Sequence, residues 1–362
     1  MRVGIGALVG TLGGPATYAR ELVAALAALG SDEYVVFTDR PDAFAGLAVT
    51  PVHVPLRSTL HQVTWDHLAL PGLLSAHRVE LYHGTKNVLP WRLPVPGVVT
   101  VHDLAVYACP ETFAWPQRWH FRLTTPSSVR RAARVIAVSA HARGDLVARF
   151  GLDPERIRVV PQGVAPAFLG APRAGAVDAL RTAYGLGERL IACVGTIQPR
   201  KHVERVIDAF VRAGAAEQGW ELAIAGRLRP GYAPAWLTAL PKGAHFLGPL
   251  ADDALRALYA AADIAISASD YEGFGLTIAE AMASRCAVIA VAVTSIPEVV
   301  GTAGLLVPRS DPALLGNALA RLLAEPATRI ALGTAARARA AGFTWAETAS
   351  RTRAVYAEVL GR

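Results

Sequence analysis

Cysteine is scarce in this sequence, with Cys109, Cys193 and Cys286 the only three among 362 residues. They are widely spaced, odd in number and set in apolar runs, and no Cys-x-x-Cys motif or Cys/His cluster accompanies them. This distribution excludes a disulfide framework and the common zinc sites. We therefore expect buried free thiols, no bound metal and a reducing cytoplasmic environment.

Long hydrophobic runs are also absent. No stretch reaches the roughly 18 uninterrupted apolar residues that a membrane-spanning helix needs, and the opening segment 2–8 is too short and glycine-rich for a signal peptide. Charged residues make up 18% of the chain and hydrophobic residues 52%, which excludes intrinsic disorder. The net charge of +7 suits anionic partners such as phosphates, acidic lipid surfaces or nucleic acid.

Short runs rich in valine and isoleucine alternate with alanine-rich segments of helical period. The candidate strands are 3–8, 34–38, 79–83, 98–103, 135–139, 190–195, 222–226, 245–248, 264–268, 287–291 and 305–307. Continuous apolar strands separated by helices predict parallel sheets buried on both faces. So many strands exceed one comfortable open sheet, so we predict an α/β protein of two doubly wound domains. The Pro/Gly-rich segment 161–172 divides them into 1–165 and 166–344, and 345–362 has the spacing of a final helix.

A glycine-rich segment at 10–18 lies between the first strand and a predicted helix that runs to Leu29. Glycines such as Gly13 and Gly14 allow an anion to approach a helix N-terminus. The Gly-x-Gly-x-x-Gly spacing of dinucleotide-binding proteins is absent, which argues against a nicotinamide cofactor. A plain tight turn is the alternative.

His102 and Asp103 end an apolar strand, where ligands bind in open parallel sheets. His102 could donate to a sugar hydroxyl or meet developing charge, with Asp103 orienting it or accepting a proton. A capping role for Asp103 is the alternative.

Two adjacent cations, Arg200 and Lys201, close the segment that begins at Gly195 and Thr196, between a strand and a helix. Cations at a strand end and helix start form a strong anion site. The Walker spacing is absent, and simple surface solvation of the pair is the alternative.

Two carboxylates frame the most specific segment, which runs from Glu272 to Glu280 after an apolar strand. Glu272 falls in the loop and Glu280 one to two turns into the next helix, so they are expected to hold opposite ends of one ligand. Gly273 and Gly275 between them leave backbone amides available for a phosphate. An exposed helix acid is the alternative for Glu280.

These segments resemble the retaining glycosyltransferases of the GT-B fold that form glycosyltransferase family 4, typified by bacterial mannosyltransferases and by sucrose and glycogen synthases. The resemblance covers nearly the whole chain. Its most specific part is the Glu-x7-Glu element with an internal Gly-Phe-Gly, combined with Pro-Arg-Lys. It implies two Rossmann-like domains facing a central cleft, with the last helix packed back on the first domain.

The resemblance also implies a role for each matching residue. Arg200 and Lys201 match the pair that neutralises the donor diphosphate, Glu272 the acid that holds the transferred sugar, and Glu280 the acid that binds the ribose. The other matching positions are the diphosphate-facing Gly13 and Gly14, His102 near the sugar, Gly195, and the loop Gly273, Phe274, Gly275 and Leu276. Asp103, Thr196 and Leu250, which follows the strand whose backbone meets the base, are further candidates. His202 and Thr302 depart from the usual pattern.

The implied activity is that of a cytoplasmic, metal-independent hexosyltransferase of glycan biosynthesis, with no cofactor besides its nucleotide-sugar donor and no nucleic-acid partner. GDP-mannose is the first expectation and a UDP-sugar (glucose or GlcNAc) the second; the acceptor is a glycan, a lipid-linked substrate or a small molecule. Aromatics at 113–121 beside arginines predict contact with the inner face of a membrane, with ordinary packing as the alternative. Rival functions are a sugar-nucleotide-binding protein without activity, a GT-B epimerase or phosphorylase, and an inverting transferase.

Overall fold

The computed structural model describes residues 1–8, 13–55, 64–113 and 115–362. The chain divides into two compact units. The N-terminal unit comprises Met1–Gly163 together with Thr344–Arg362, and the C-terminal unit comprises Val164–Phe343. None of the helices in the described ranges is both long enough and apolar enough to cross a bilayer.

The N-terminal unit is built on a parallel sheet of seven strands. In chain order these are β1 (Arg2–Ala7), β2 (Glu33–Thr38), β3 (Thr50–His53), β4 (Leu81–Gly84), β5 (Gly97–Val101), β6 (Arg134–Ala137) and β7 (Ile157–Val159). Their spatial order is β3-β2-β1-β4-β5-β6-β7. The helices that cover the sheet are α1 (Gly14–Leu29), α2 (Leu70–Ala76), α3 (Ala105–Ala108), α4 (Trp115–Arg131) and α5 (Ala140–Phe150).

The C-terminal unit repeats this plan with six parallel strands. They are β8 (Arg189–Val194), β9 (Trp220–Ala225), β10 (Ala244–Gly248), β11 (Ile264–Ser267), β12 (Ala287–Val291) and β13 (Gly304–Val307), in the spatial order β10-β9-β8-β11-β12-β13. The helices are α6 (Ala176–Tyr184), α7 (Val203–Arg212), α8 (Asp252–Ala261), α9 (Leu276–Ala283), α10 (Ile296–Val300), α11 (Pro312–Ala324) and α12 (Pro326–Ala340). The predicted pair of doubly wound parallel sheets is confirmed.

The strand prediction missed two strands, β3 and β7. β3 has the sequence Thr-Pro-Val-His and lies at the edge of its sheet, where proline is tolerated because one side of the backbone needs no ladder partner. β7 has only three residues, with an arginine in the middle. Neither strand offers the continuous apolar run on which the prediction depended.

Each sheet reverses its strand order once, and ligands of doubly wound proteins bind beyond the carboxyl ends of the strands at that switch point. In the N-terminal unit the switch lies between β1 and β4, and in the C-terminal unit between β8 and β11. The loops that follow these strands are therefore the places to look for chemistry.

The last helix, α13 (Trp345–Leu360), belongs to the N-terminal unit and packs on α1. Asp32, whose side chain is 2% exposed, accepts from the chain's amino group and from Arg353, each at 2.7 Å. Deeper in the unit, His83 of β4 contacts the hydroxyl of Tyr356 at 2.7 Å and that of Thr100 at 2.8 Å. Burial lowers the pKa of His83 to about 3, so this imidazole is neutral and needs both contacts.

Replacing Tyr356 by phenylalanine is expected to destabilise the N-terminal unit by about 1–3 kcal/mol, because a ring nitrogen of buried His83 loses its partner. Urea unfolding of the variant measures this change. Tyr184→Phe at the half-buried end of α6 is the matched control. Equal effects of the two substitutions would contradict the prediction.

Candidate active site

The site of the C-terminal unit lies at the switch point of its sheet. A turn of 3-10 helix, Pro199–Lys201, follows β8 and leads into α7. Tyr271 and Glu272 follow β11, which pairs directly with β8. The pairing of β8 with β11 thus brings two segments about 70 residues apart in the sequence together beyond the carboxyl ends of these strands.

The two cations meet the first carboxylate in a buried cluster. The Nζ atom of Lys201 donates to Oε1 of Glu272 in direct contact, and Nη1 of Arg200 lies 3.6 Å from Oε2. The side chains of both cations are 14% exposed and that of Glu272 is 10% exposed. Surface solvation of the cation pair, the alternative interpretation of the sequence, is therefore wrong.

Electrostatics keep Glu272 ionised in this cluster. Burial alone raises its pKa, but the charges of Lys201 and Arg200 outweigh burial and hold the pKa below its usual value. Burial lowers the pKa of Lys201, an effect that Glu272 opposes. The cluster combines two positive charges with one negative charge, so it keeps a surplus of positive charge for an anion.

Arg200 also fixes the loop that carries Glu272. Its guanidinium donates to the carbonyl of Tyr271, and its own carbonyl accepts from the amide of Asp270 at 2.9 Å. The hydroxyl of Ser269 donates to the same Tyr271 carbonyl at 3.2 Å. The cation-bearing turn and the carboxylate-bearing loop are therefore one hydrogen-bonded assembly.

The glycine loop leads directly into helix α9, as predicted. Gly275 is the N-cap residue and has φ +94°, in the left-handed region that favours glycine. A Cβ atom there would lie 2.7 Å from Cδ1 of Ile296. Phe274 is buried and packs edge-to-face on Phe343 at 5.5 Å. Leu276, the first helical residue, is half-buried.

Glu280 lies within α9 and is 7% exposed. The alternative that it is an exposed helix acid is wrong. Gly195 and Leu250 are half-buried, whereas Thr196 is exposed. The amide of Gly195 continues the β8–β9 ladder by donating to the carbonyl of Ala225 at 3.0 Å.

His202 has an unusual backbone conformation, with φ +45° and ψ +48°. This left-handed conformation is most readily adopted by glycine and asparagine. The imidazole instead joins two carboxylates, since Nδ1 lies 2.9 Å from Glu204 and Nε2 lies 2.5 Å from Asp270. These contacts raise the pKa of His202, Glu204 contributing most.

His202→Asn is expected to reduce the pH dependence of stability. Because the folded pKa of His202 is raised, its contribution is complete below the unfolded value of about 6.5 and is lost as pH rises through the folded pKa. Asparagine tolerates the backbone conformation but does not titrate. Unfolding free energies measured from pH 5.5 to 9 should fall less steeply in the variant, and exposed His53→Asn is the control. Parallel curves for wild type and His202→Asn would contradict this.

His102, in the N-terminal unit, has both ring nitrogens engaged. Its Nε2 lies 2.7 Å from the carbonyl of Thr85, which can only accept, so the proton is on Nε2. Nδ1 then accepts from the amide group of Gln162 at 3.2 Å. Burial lowers the pKa of His102, and the ring packs edge-to-face on Tyr18 at 4.7 Å. The residue is a neutral imidazole in a defined tautomer.

Asp103 caps the backbone that follows it, since Oδ1 accepts from the amide of Ala105 at 2.9 Å. The capping interpretation therefore describes what this carboxylate does. The loops after β4 and β5 are joined by Asn87, whose side chain accepts from the amide of His102 and donates to the carbonyl of Asp103, both at 3.1 Å. Asn87 was not predicted, although asparagine is one of the few residues that favour its positive φ of 57°.

Gly13 and Gly14 begin helix α1. Gly13 is the N-cap residue with φ +98°, and its carbonyl accepts from the amides of Ala16 and Thr17. The remainder of the predicted glycine segment, residues 10–12, lies outside the described residues.

Family models match both halves of the chain. The model described as Glycosyltransferase Family 4 matches residues 12–168, and the model described as Glycosyl transferases group 1 matches residues 188–325. A D-inositol 3-phosphate glycosyltransferase from Corynebacterium glutamicum (strain R) is 31% identical over 293 residues, which cover 75% of this chain and 68% of that protein. The chain belongs to glycosyltransferase family 4. The predicted resemblance is confirmed, and the protein is a glycosyltransferase.

Two other relatives of this family 4 enzyme are named as mannosyltransferases. The O-antigen chain mannosyltransferase B of Escherichia coli is 27% identical over 291 residues, covering 77% of this chain and 74% of that protein. The MMP alpha-(1->4)-mannosyltransferase of Mycolicibacterium hassiacum is 33% identical over 254 residues, covering 68% of this chain and 59% of that protein.

Solved structures match almost the full length of the chain and establish the GT-B fold class. A sucrose-phosphate synthase from Thermosynechococcus elongatus has a TM-score of 0.76 at 23% identity, covering 99% of each chain. Anabaena HepE in complex with UDP-glucose has a TM-score of 0.78 at 19% identity, covering 99% of this chain and 100% of that one.

Proposed function

We propose that this enzyme is a retaining glycosyltransferase that takes a hexose from a nucleotide diphosphate donor without a metal ion. The observation that carries the proposal is the buried cluster of Arg200, Lys201 and Glu272 at the switch point of the C-terminal sheet. Two cations at a helix entrance suit a diphosphate, and an adjacent ionised carboxylate suits sugar hydroxyls.

The reaction follows from these charges. The bond between the anomeric carbon and the diphosphate oxygen breaks, and Arg200 and Lys201 stabilise the charge that develops on the leaving diphosphate. The acceptor oxygen bonds to the anomeric carbon on the same face, through an oxocarbenium-like state. The acceptor's proton passes to an oxygen of the leaving phosphate, so no third carboxylate is needed.

The other residues bind and orient the donor. We assign Glu272 to hydroxyls of the transferred sugar, Glu280 to the ribose, and the 273–276 amides at the start of α9 to the diphosphate. In the N-terminal unit, His102 and Gly14 keep the roles that the family resemblance implies. His102 is a neutral imidazole, because burial lowers its pKa, and its ring is held in place by Thr85 and Gln162.

GDP-mannose is the first candidate donor. Two relatives named as mannosyltransferases, from Escherichia coli and Mycolicibacterium hassiacum, support it. A UDP-sugar is the second candidate, favoured by the structural likeness to HepE, which was solved with UDP-glucose. The acceptor is a hydroxyl of a glycan, a glycolipid or a small molecule.

Helix α4 supports a peripheral membrane contact for a lipid-linked acceptor. Trp115, Trp119 and Leu123 are 67%, 47% and 68% exposed, so ordinary packing does not account for these side chains. The helix carries Arg118, Arg122, Arg130 and Arg131 and no acidic residue. Exposed aromatics beside cations suit the interface of an anionic bilayer.

Flotation with liposomes tests the membrane proposal. The wild type should float with vesicles that contain phosphatidylglycerol, less so in high salt, and Trp115→Ala/Trp119→Ala should remain at the bottom. Equal flotation of the variant, or none by the wild type, would overturn this part of the proposal.

The decisive experiment is a panel of nucleotide sugars read first by thermal shift and then by turnover. A donor at 100 times its dissociation constant stabilises the protein by about 2.7 kcal/mol, so the true donor should give the largest shift. Turnover with that donor should survive EDTA, and the product should keep the anomeric configuration of the donor. Inverted product, EDTA-sensitive turnover or binding without transfer or hydrolysis would each contradict the proposal.

A further inference from the structure

The loop after β12 binds both the backbone amide and the backbone carbonyl of Glu272. The amide of Glu272 donates to the hydroxyl of Thr294 at 3.0 Å, and the same hydroxyl donates back to the carbonyl of Glu272 at 2.8 Å. The hydroxyl of Ser295 donates to that carbonyl at 3.0 Å. Both polar backbone groups of Glu272 are thereby occupied by two side chains of a neighbouring loop.

Thr294 makes these contacts from a strained conformation. Its φ is +49°, a left-handed value that is a genuine outlier for a β-branched residue. Such strain persists where the surroundings impose it and is concentrated at functional sites. Ser295 beside it is fully buried. The hydroxyls of a strained threonine and a buried serine thus bind the backbone of one glutamate. This arrangement indicates that the two residues fix the position of Glu272.

We propose that Thr294 and Ser295 are positioning residues for Glu272. This inference rests on the proposed role of Glu272 as the acid that holds the transferred sugar. The carboxylate is attached to a backbone fixed by Thr294 and Ser295 on one side, and its oxygens contact Lys201 and Arg200 on the other. Without the hydroxyls, the carboxylate keeps its charge but not its position.

The geometry separates sugar placement from nucleotide binding. The hydroxyls of Thr294 and Ser295 bind the backbone of Glu272. A shift of about 1 Å at a site can lower turnover by roughly 100-fold. Loss of the Thr294 hydroxyl should therefore reduce kcat for transfer far more than it weakens binding of the nucleoside diphosphate, to which Arg200, Lys201 and Glu280 are also assigned.

A set of substitutions at one position tests this proposal. Thr294→Ala should lower kcat by about 10- to 100-fold, Thr294→Ser should restore it to within about 2-fold of wild type, and the dissociation constants for GDP and UDP should change far less. Thr294→Gly removes the strain as well as the hydroxyl, so it should be as slow as Thr294→Ala but unfold at a higher temperature. Thr302→Ala, at an exposed position of the same unit, is the control.

Glu272→Gln, measured in parallel, separates the two ways of failing. If Glu272→Gln is inactive while Thr294→Ala or Thr294→Gly turns over like wild type, the positioning inference is wrong and the proposed function stands. Slow turnover by Thr294→Ser as well would also overturn it, since the hydroxyl would not be what matters. If Glu272→Gln is fully active, the proposed function fails and the inference with it.

Discussion

Replacing Lys201 by alanine should lower turnover by about 100- to 1,000-fold, the usual cost of removing one preorganised electrostatic donor from a transition state. Lys201 is buried against Glu272 and lies beside Arg200. Its charge is therefore poorly screened by water, and a charge developing on a leaving diphosphate would interact with it strongly. The loss should appear in kcat as well as in kcat/KM, because the phosphate charge grows as the bond breaks.

The variant must be separated from one that merely unfolds. Lys201→Ala removes the closer of the two cations from the buried carboxylate of Glu272 and leaves Arg200 at 3.6 Å, and breaking a buried pair can cost about 3–5 kcal/mol of stability. The double variant Lys201→Ala/Glu272→Gln removes both charges and should regain much of that stability without regaining activity. Lys242→Ala, at an exposed lysine of the same unit, is the matched control. Robust turnover in folded Lys201→Ala would remove this residue from the mechanism.

Glu272→Gln and Glu280→Gln should have different effects: the first should lower turnover, and the second should weaken binding of the nucleoside diphosphate. Glu272→Gln should lose turnover by about 100-fold or more and bind the nucleoside diphosphate at least as tightly as wild type. The reason is that Glu272 offsets part of the positive charge of Lys201 and Arg200 in the wild type, so removing its charge leaves more positive charge for the phosphates. Glu272→Gln should form the same product as the wild type from the same donor, but more slowly.

Glu280→Gln should weaken binding of the nucleoside diphosphate by roughly 10-fold or more and affect kcat less, since a hydrogen bond to a charged group contributes about 1.5–3 kcal/mol. Isothermal titration with GDP and UDP, beside steady-state kinetics, measures both variants. Glu188→Gln, at an exposed position, is the control. If both variants lost binding and turnover in parallel, the proposed division of labour between the two acids would be wrong.

The glycine loop shows which structural features the local sequence pattern predicts and which it does not. The sequence predicted that α9 would follow the Gly-Phe-Gly segment, and the helix begins at Leu276 with Gly275 as its N-cap. That prediction worked because helix entry depends on neighbouring residues: a left-handed glycine and the apolar helical spacing after it. The burial of Glu280 was not visible in the same pattern.

His102 shows that the sequence predicts where a residue lies on a strand but not its hydrogen-bond partners. Its place at a strand end was evident, but its tautomer depends on Thr85 and on Gln162, 60 residues away. Asp103 next to it was open between two roles, and only the distance of 2.9 Å to the amide of Ala105 decided for capping. The partners of His102 come from other segments of the chain and have no counterpart in its local sequence.

By itself, the sequence determined the two doubly wound sheets and placed Arg200, Lys201 and Glu272 directly after strands. It could do so because apolar runs and their spacing are properties of the local chain. Tertiary structure alone decided that Lys201 meets Glu272 across 71 residues and that Thr294 holds its backbone across 22. The physical reason is strand order. The chain returns from β10 to the other side of β8, where β11 pairs with β8 and then with β12. The loops that follow β8, β11 and β12 therefore lie side by side.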